Sequence, residues 1–172
     1  MTPDALPAYW DRIVRRISDE GPRAAAYAMA KRFHQVVSDE TLVATSHGKG
    51  SPTPSAPGSP PALVSGALKR SLRLTPAVDI GGNIAKASVV PLIIYARIQE
   101  LGGTVEAKHT YVDKHGTVRQ GYLAWGSGAG RHYAHSVTLP ARPYMRPTHK
   151  RVVADGSLRS SAIKAVRGLV VG

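Results

Sequence analysis

Leu72-Arg73-Leu74-Thr75-Pro76-Ala77-Val78-Asp79-Ile80-Gly81-Gly82-Asn83-Ile84-Ala85-Lys86-Ala87-Ser88-Val89-Val90 is the stretch whose reading decides the fold class. Leu72, Leu74 and Val78 alternate in the manner of a strand over 71–78, interrupted by Pro76, which has no N–H to give to a ladder. Ile84, Ala85, Ala87 and Val89 alternate more loosely and predict a second strand over 84–90. Gly81-Gly82-Asn83 lies between them. These residue types accept positive φ, so the two strands are expected to form an antiparallel hairpin.

Helical patterns lie on both sides of this hairpin. Trp10, Ile13, Val14 and Ile17 fall on one stripe of a helix over 7–20, with Arg12, Arg15, Arg16 and Asp19 mainly opposite. Gly21-Pro22 is expected to break it, with Pro22 opening a second helix over 23–37 on which Ala26, Met29, Ala30, Phe33 and Val37 share a face. At the other end, Val152, Val153, Leu158, Ile163, Val166 and Leu169 predict a helix over 148–170. Asp155-Gly156-Ser157 is placed to kink or split it. Shorter elements fill the middle: helices over 62–70 and 91–101, the latter stopped by Gly102-Gly103, a hairpin over 104–125 turning at Asp113-Lys114-His115-Gly116, and a strand over 135–139. Three prolines predict an extended segment over 140–147. Together these give an α+β fold: a central antiparallel sheet flanked by N-terminal and C-terminal helices, with long extended loops. The chain reads as a single domain over 1–172, with a helical lead-in (1–45), a Pro/Gly/Ser-rich loop (46–62) and an α+β core carrying the C-terminal helix (63–172).

Composition narrows the function. There are 172 residues with 42% hydrophobic content, enough for one core, but only 6% are aromatic and Phe33 is the single Phe. The absence of cysteine excludes disulfides and thiolate metal sites. Met1 to Leu6 is neither basic nor apolar and does not read as a secretory signal. The longest apolar run, 87–96, is too short to cross a bilayer. A soluble protein made in the cytoplasm, without membrane contact, is the expectation. The net charge is +12, and it is uneven. Residues 1–60 carry 7 basic and 6 acidic side chains; residues 61–172 carry 16 and 5. This asymmetry points to a polyanionic or acidic neighbour, or to a solvated basic surface.

The usual signatures of chemistry are missing. His132-Tyr133-Ala134-His135 would point its two imidazoles to opposite faces of a strand, and no carboxylate cluster accompanies them. Gly126-Ser127-Gly128-Ala129-Gly130 lacks the Gly-Lys-Ser/Thr ending of a phosphate-binding loop, and His47-Gly48-Lys49-Gly50-Ser51 has Val43 where that motif's first glycine belongs. Asp79, Glu100, Glu106, Asp113 and Asp155 are scattered, and no Gly-x-Ser-x-Gly elbow occurs. The expectation is a protein that is not an enzyme and holds no cofactor or metal.

Three stretches carry a resemblance. Pro61-Ala62-Leu63-Val64-Ser65-Gly66-Ala67-Leu68-Lys69-Arg70-Ser71-Leu72 is similar to the "proline, then Gly-x-Leu-basic-x-Ser-hydrophobic" segment of phage neck proteins of the tail-completion type. Tyr95-Ala96-Arg97-Ile98-Gln99-Glu100-Leu101-Gly102-Gly103 resembles that family's "Tyr-Ala-x-x-x-Glu-aromatic-Gly-Thr" helix end. Leu139-Pro140-Ala141-Arg142-Pro143-Tyr144-Met145-Arg146-Pro147 resembles its "Pro-Ala-Arg-Pro-Phe-Leu-Arg-Pro-Ala" segment. Order and spacing agree over 61–150. Leu101, Gly103 and Thr148 depart from the pattern, standing where an aromatic, Thr and Ala are usual. The resemblance implies a structural virion protein of the head–tail junction, in a stopper, tail-completion or tail-terminator role. Such a protein forms a ring, six-fold or twelve-fold, around packaged DNA and touches adjacent neck, adaptor or tail-tube proteins.

The residues themselves support two candidate surfaces. Tyr95, Glu100, Arg142, Pro143, Tyr144, Met145 and Arg146 are candidates for a subunit interface. The prolines preorganise the 142–147 arm, and Tyr, Met and Arg are enriched at interface centres. Tyr144 and Met145 could equally fill the chain's own core. Leu68 and Leu72 are expected to point inward, with Lys69 and Arg70 outside. Glu100, near a helix C-terminus, opposes the macrodipole and is expected to pair with a basic group, Arg142 first, or else to remain exposed. Lys108, Lys114, Arg119 and Arg131 belong to a basic loop region over 104–131 and are candidates to face the DNA channel, touching phosphates without reading sequence. The alternative is a small basic protein that binds nucleic acid without sequence preference.

Overall fold

The computed structural model describes residues 5–43, 55–62, 65–125 and 130–171. The α+β class is what it shows, with long helices at both ends and antiparallel strands between them. The order is α1 (Ala5–Val36), a π-helical turn (Val37–Thr41), α2 (Ala67–Ser71), β1 (Leu72–Leu74), β2 (Val78–Gly81), β3 (Ile84–Lys86), β4 (Val89–Pro91), α3 (Ala96–Leu101), β5 (Gly103–Glu106), β6 (Thr110–Val112), β7 (Val118–Gln120), β8 (Leu123–Trp125), β9 (His132–Ala134), β10 (Ser136–Leu139), α4 (Met145–Ala154) and α5 (Ser157–Val171).

Among the described residues the strands form five two-stranded antiparallel ribbons: β1–β4, β2–β3, β5–β10, β6–β7 and β8–β9. The first two are one long hairpin with a gap. Leu72 faces Pro91 and Val78 faces Lys86. Between them Pro76 cannot donate, and the Thr75 N–H reaches Ser88 O at 2.8 Å while the Thr75 hydroxyl oxygen accepts from Ser88 N–H at 2.8 Å. The turn has positive φ at Gly81, Gly82 and Asn83, as the residue types require. The hairpin expected over 104–125 holds only between β6 and β7; β5 pairs instead with β10, and β8 with β9. β5 and β10 form a stem, with Gly103 opposite Leu139 and Thr104 bonded to Thr138 through their hydroxyls at 2.9 Å. Beyond the stem project the hairpins β6–β7 and β8–β9, the first turning at 113–116.

Four boundaries differ from the sequence expectation. Gly21-Pro22 does not break the first helix, which runs unbroken for 32 residues with Pro22 inside it. One lost hydrogen bond and a ring clash cost about 3 kcal/mol, and α5, packed along α1, supplies the contacts that hold the helix together. Residues 91–95 are not helical; β4 takes Pro91, a turn follows, and the helix starts at Ala96. Of the helix expected over 62–70, residues 63 and 64 lie outside the described residues; the described helix runs over 67–71 and is entered through Gly66 in the left-handed conformation. Finally, residues 145–147 are not extended but form the first turn of α4. First-turn N–H groups have no partner inside a helix, so Pro147 loses nothing there. The C-terminal pattern splits at Gly156, whose φ is +70°, with Asp155 Oδ1 accepting the Ser157 N–H at 2.8 Å.

The core is small. Val37, Leu42, Leu68, Leu72, Ala96 and Tyr144 are buried against one another, with Phe33, Val89, Ile93 and Met145 packed around them. The inward placement of Leu68 and Leu72 is as read from the sequence. Of the loop expected over 46–62, residues 46–54 lie outside the described residues; 55–62 hold neither helix nor strand.

Candidate functional site

Three separated segments meet around Glu100. α3 ends at Leu101, and Gly102 follows with φ +67° and ψ −176°, a conformation open to glycine. A Cβ there would stand 2.7 Å from Ala141 N and 3.0 Å from Leu139 O, so glycine is what allows the strand leaving β10 to pass against the helix end. The stem ladder fixes the approach, and Arg142 N–H donates to Gln99 O at 2.6 Å.

This places α4's N-terminus over the Glu100 carboxylate. Oε2 accepts the N–H groups of Tyr144 at 2.7 Å and Met145 at 2.9 Å; Oε1 accepts that of Arg146 at 2.9 Å. Pro147, next in line, has no N–H. One carboxylate from a different helix thus does the work that a local Ser, Thr or Asp does in most helices, at the end where the macrodipole favours negative charge. The expected pairing of Glu100 with Arg142 is not what the structure shows. The Arg142 backbone runs past the end of α3, and its Nε donates to Ser55 O at 2.8 Å. Gly58 N–H donates to Ala141 O at 2.9 Å, so residues 55–58 close over the arm from outside.

The structure brings Glu100, Arg142, Pro143, Tyr144, Met145 and Arg146 together. Tyr144 is 1% exposed and lies in the chain's own core, Met145 packs against that core, and Pro143 and Arg142 are half-buried. Arg146 is exposed, and Tyr95 keeps part of its ring in solvent. Burial pushes the Tyr144 hydroxyl up to about 12, helped by the Glu100 charge and by Tyr95.

Lys108, Lys114, Arg119 and Arg131 are all exposed on the projecting hairpins. Arg119 Nε is bound to Asp113 Oδ2 at 2.6 Å, and the Arg131 guanidinium stands 5.9 Å over the Tyr133 ring. The Asp113 carboxyl is held below its ordinary value by that arginine first and by the N–H groups of Thr117 and His115. Tyr111, Tyr122 and Tyr133 are exposed on the same hairpins, with Tyr122 stacked on His135 at 4.2 Å.

Sequence reasoning missed the N-terminal contribution to this region. Val37 and Leu42 border Tyr144 across the π-helical turn, Thr41 and Thr148 share a 2.7 Å hydroxyl bond, and Glu40 holds Arg151 at 2.9 Å. A π-helical turn has no reliable signature in a single sequence. The Glu100 cap did leave a signal: an acid at the wrong end of one helix and no capping side chain before another.

Among the described residues, no group of three or more His, Asp or Glu side chains is arranged to hold a metal ion, and no helix is long and apolar enough to cross a membrane. No protein-family model, curated protein or solved structure matches the chain.

Proposed function

We propose that this chain is a structural, non-catalytic protein of the phage head–tail junction, assembling as a ring around the DNA channel. One observation carries the reading. The three segments that resemble neck proteins are far apart in sequence, yet their distinctive residues do one joint job. Leu68 and Leu72 from the first, Ala96 and Glu100 from the second, and Tyr144 and Met145 from the third share one core and one helix cap. Residues that resemble a family pattern by chance have no reason to interlock.

The same core makes a rigid platform. Its outer side carries Tyr95 and Arg146, where neighbouring neck, adaptor or tail-tube proteins would dock, and the basic hairpins project on the stem toward phosphates in the lumen. Antibody labelling of purified particles tests this: label at the junction between head and tail supports it, and label confined to heads, tail tips or free protein refutes it.

The exposed Lys108, Lys114, Arg119 and Arg131 also favour a second reading, a small nucleic-acid-binding protein. It requires duplex affinity that falls log-linearly with salt, by a slope set by the phosphates neutralised. A protein that retains no duplex at low salt is not of this kind.

A further inference from the structure

We infer that duplex nucleic acid is held by its phosphates along the shallow groove between α1 and α5, with Lys31, Lys164 and Arg167 as the cations that meet it. The inference rests on the contact with nucleic acid that both readings above contain, and it assigns that contact to a helical face which neither of them uses.

The projecting hairpins are not where the charge of this chain is densest. Residues 103–139 hold four basic and two acidic side chains, and one of those cations, Arg119, is tied to Asp113. Residues 145–171, which span α4 and α5, hold six basic and one acidic. α5 has no acid of its own, and its Arg159, Lys164 and Arg167 are all exposed. The one acid before it, Asp155, accepts the Ser157 N–H.

α5 lies along α1, and the groove between them measures about 330 Å³. Small side chains, Ala28, Ser161 and Ala165, line it together with the long cations Lys31, Arg32 and Lys164. Lys31 and Lys164 thus reach the same groove from two different helices. Arg167 follows Lys164 by three residues and is its neighbour on the helix surface. Lys31, Lys164 and Arg167 pair with no acid among the described residues. Arg32 does, since its Nη1 stands 3.5 Å from Glu40 Oε1, and it is left out of the set.

Cations gathered without acids repel one another, and a polyanion laid along them relieves that repulsion. An acidic protein fits this face less well. Lysine is depleted at protein interfaces, where aromatic anchors are enriched, and no aromatic ring lines the groove. The same lack of rings gives the bases of a single strand nothing to stack on. A duplex presents the dense line of charge that remains, about one per 1.7 Å of axis. Contact is with phosphates alone, so binding is indifferent to base sequence.

The test is binding of a short mixed-sequence duplex by the full-length chain over a range of salt. Each phosphate neutralised contributes about 0.9 to the steepness of log affinity against log salt. The variant Lys31→Gln/Lys164→Gln/Arg167→Gln should therefore flatten that slope by about 2 to 3. Its unfolding midpoint should be unchanged, since all three side chains are exposed. Lys31→Arg/Lys164→Arg should keep the wild-type slope. If the triple variant binds as wild type does while Lys108→Gln/Lys114→Gln/Arg131→Gln flattens the slope, the groove is overturned and the second reading stands. Tighter binding of polyglutamate than of duplex at equal salt also overturns it, and makes the face one for an acidic protein. If the wild-type chain retains no duplex at low salt, the groove and the second reading fall together, and the ring reading is decided by the labelling of particles.

Discussion

Replacing Glu100 by Ala should destabilise the fold more than any other exposed or half-exposed carboxylate change in the chain. The carboxylate accepts three backbone N–H groups at 2.7–2.9 Å. Those of Tyr144 and Met145 are partly buried, and water replaces the lost acceptor poorly; that of Arg146 is exposed and rehydrates. Charge-assisted bonds contribute about 1.5–3 kcal/mol and an ordinary cap about 1 kcal/mol, so the loss sums to about 2–4 kcal/mol. Glu100→Gln keeps one carbonyl oxygen for Tyr144 and Met145 but turns an NH₂ toward Arg146, for a loss of about 1–2 kcal/mol. Arg142→Ala removes one bond to a carbonyl and costs about 1 kcal/mol. The order wild type, Gln, Ala is read by urea unfolding at 222 nm. A 3 kcal/mol loss also lowers Tm by roughly 6–12 °C for a chain of this size. Were Glu100→Ala within 0.5 kcal/mol of wild type (the size of an ordinary surface change), or Arg142→Ala the more damaging, the cap would not be what holds α4 in place.

Gly102→Ala should cost more than about 3 kcal/mol, because it adds backbone strain to a clash with Ala141 N; a soluble variant with wild-type Tm contradicts this. The raised Tyr144 pKa means that the folded state prefers the neutral phenol. Its stabilising contribution is complete below the unfolded value of 10 and is lost as pH rises from 10 to about 12, and Tyr144→Phe should flatten that part of the stability curve. Phenolate absorbance should show a step near 12 that Tyr144→Phe removes. Asp113 has a lowered pKa, so its hold on the β6–β7 turn is present above the ordinary value of 3.8 and fades as pH falls through the folded one. Protection of the Asp113 and Thr117 amides against exchange, relative to the free-chain rate at each pH, should fall in acid, and Asp113→Asn should remove that dependence.

The parts of the fold that were legible in the sequence are those that local chemistry decides. Gly81-Gly82-Asn83 demanded positive φ, Asp113-Lys114-His115-Gly116 made a turn, and Asp155-Gly156-Ser157 split the last helix. Where tertiary contact overrides local preference, the sequence misled. Pro22 reads as a break until α5 is laid along α1, and Pro147 reads as extended until Glu100 supplies the first-turn cap. Of the candidate site, the convergence of Glu100 with the 142–146 arm was suggested by an acid that opposes the macrodipole of its own helix, but its chemistry was not. An arginine is the obvious partner for a lone carboxylate, and a row of backbone N–H groups is invisible in side-chain letters. The exposure of Ile94 was equally hidden, because its spacing with Ile98 and Leu101 fits a helix that begins only at Ala96.

Counting this chain's peptides against those of the major capsid protein in purified particles tests the central claim most directly. The account predicts a fixed small copy number per particle, six or twelve, retained through density-gradient purification. Absence from the particles, or a number that varies with the preparation, contradicts it.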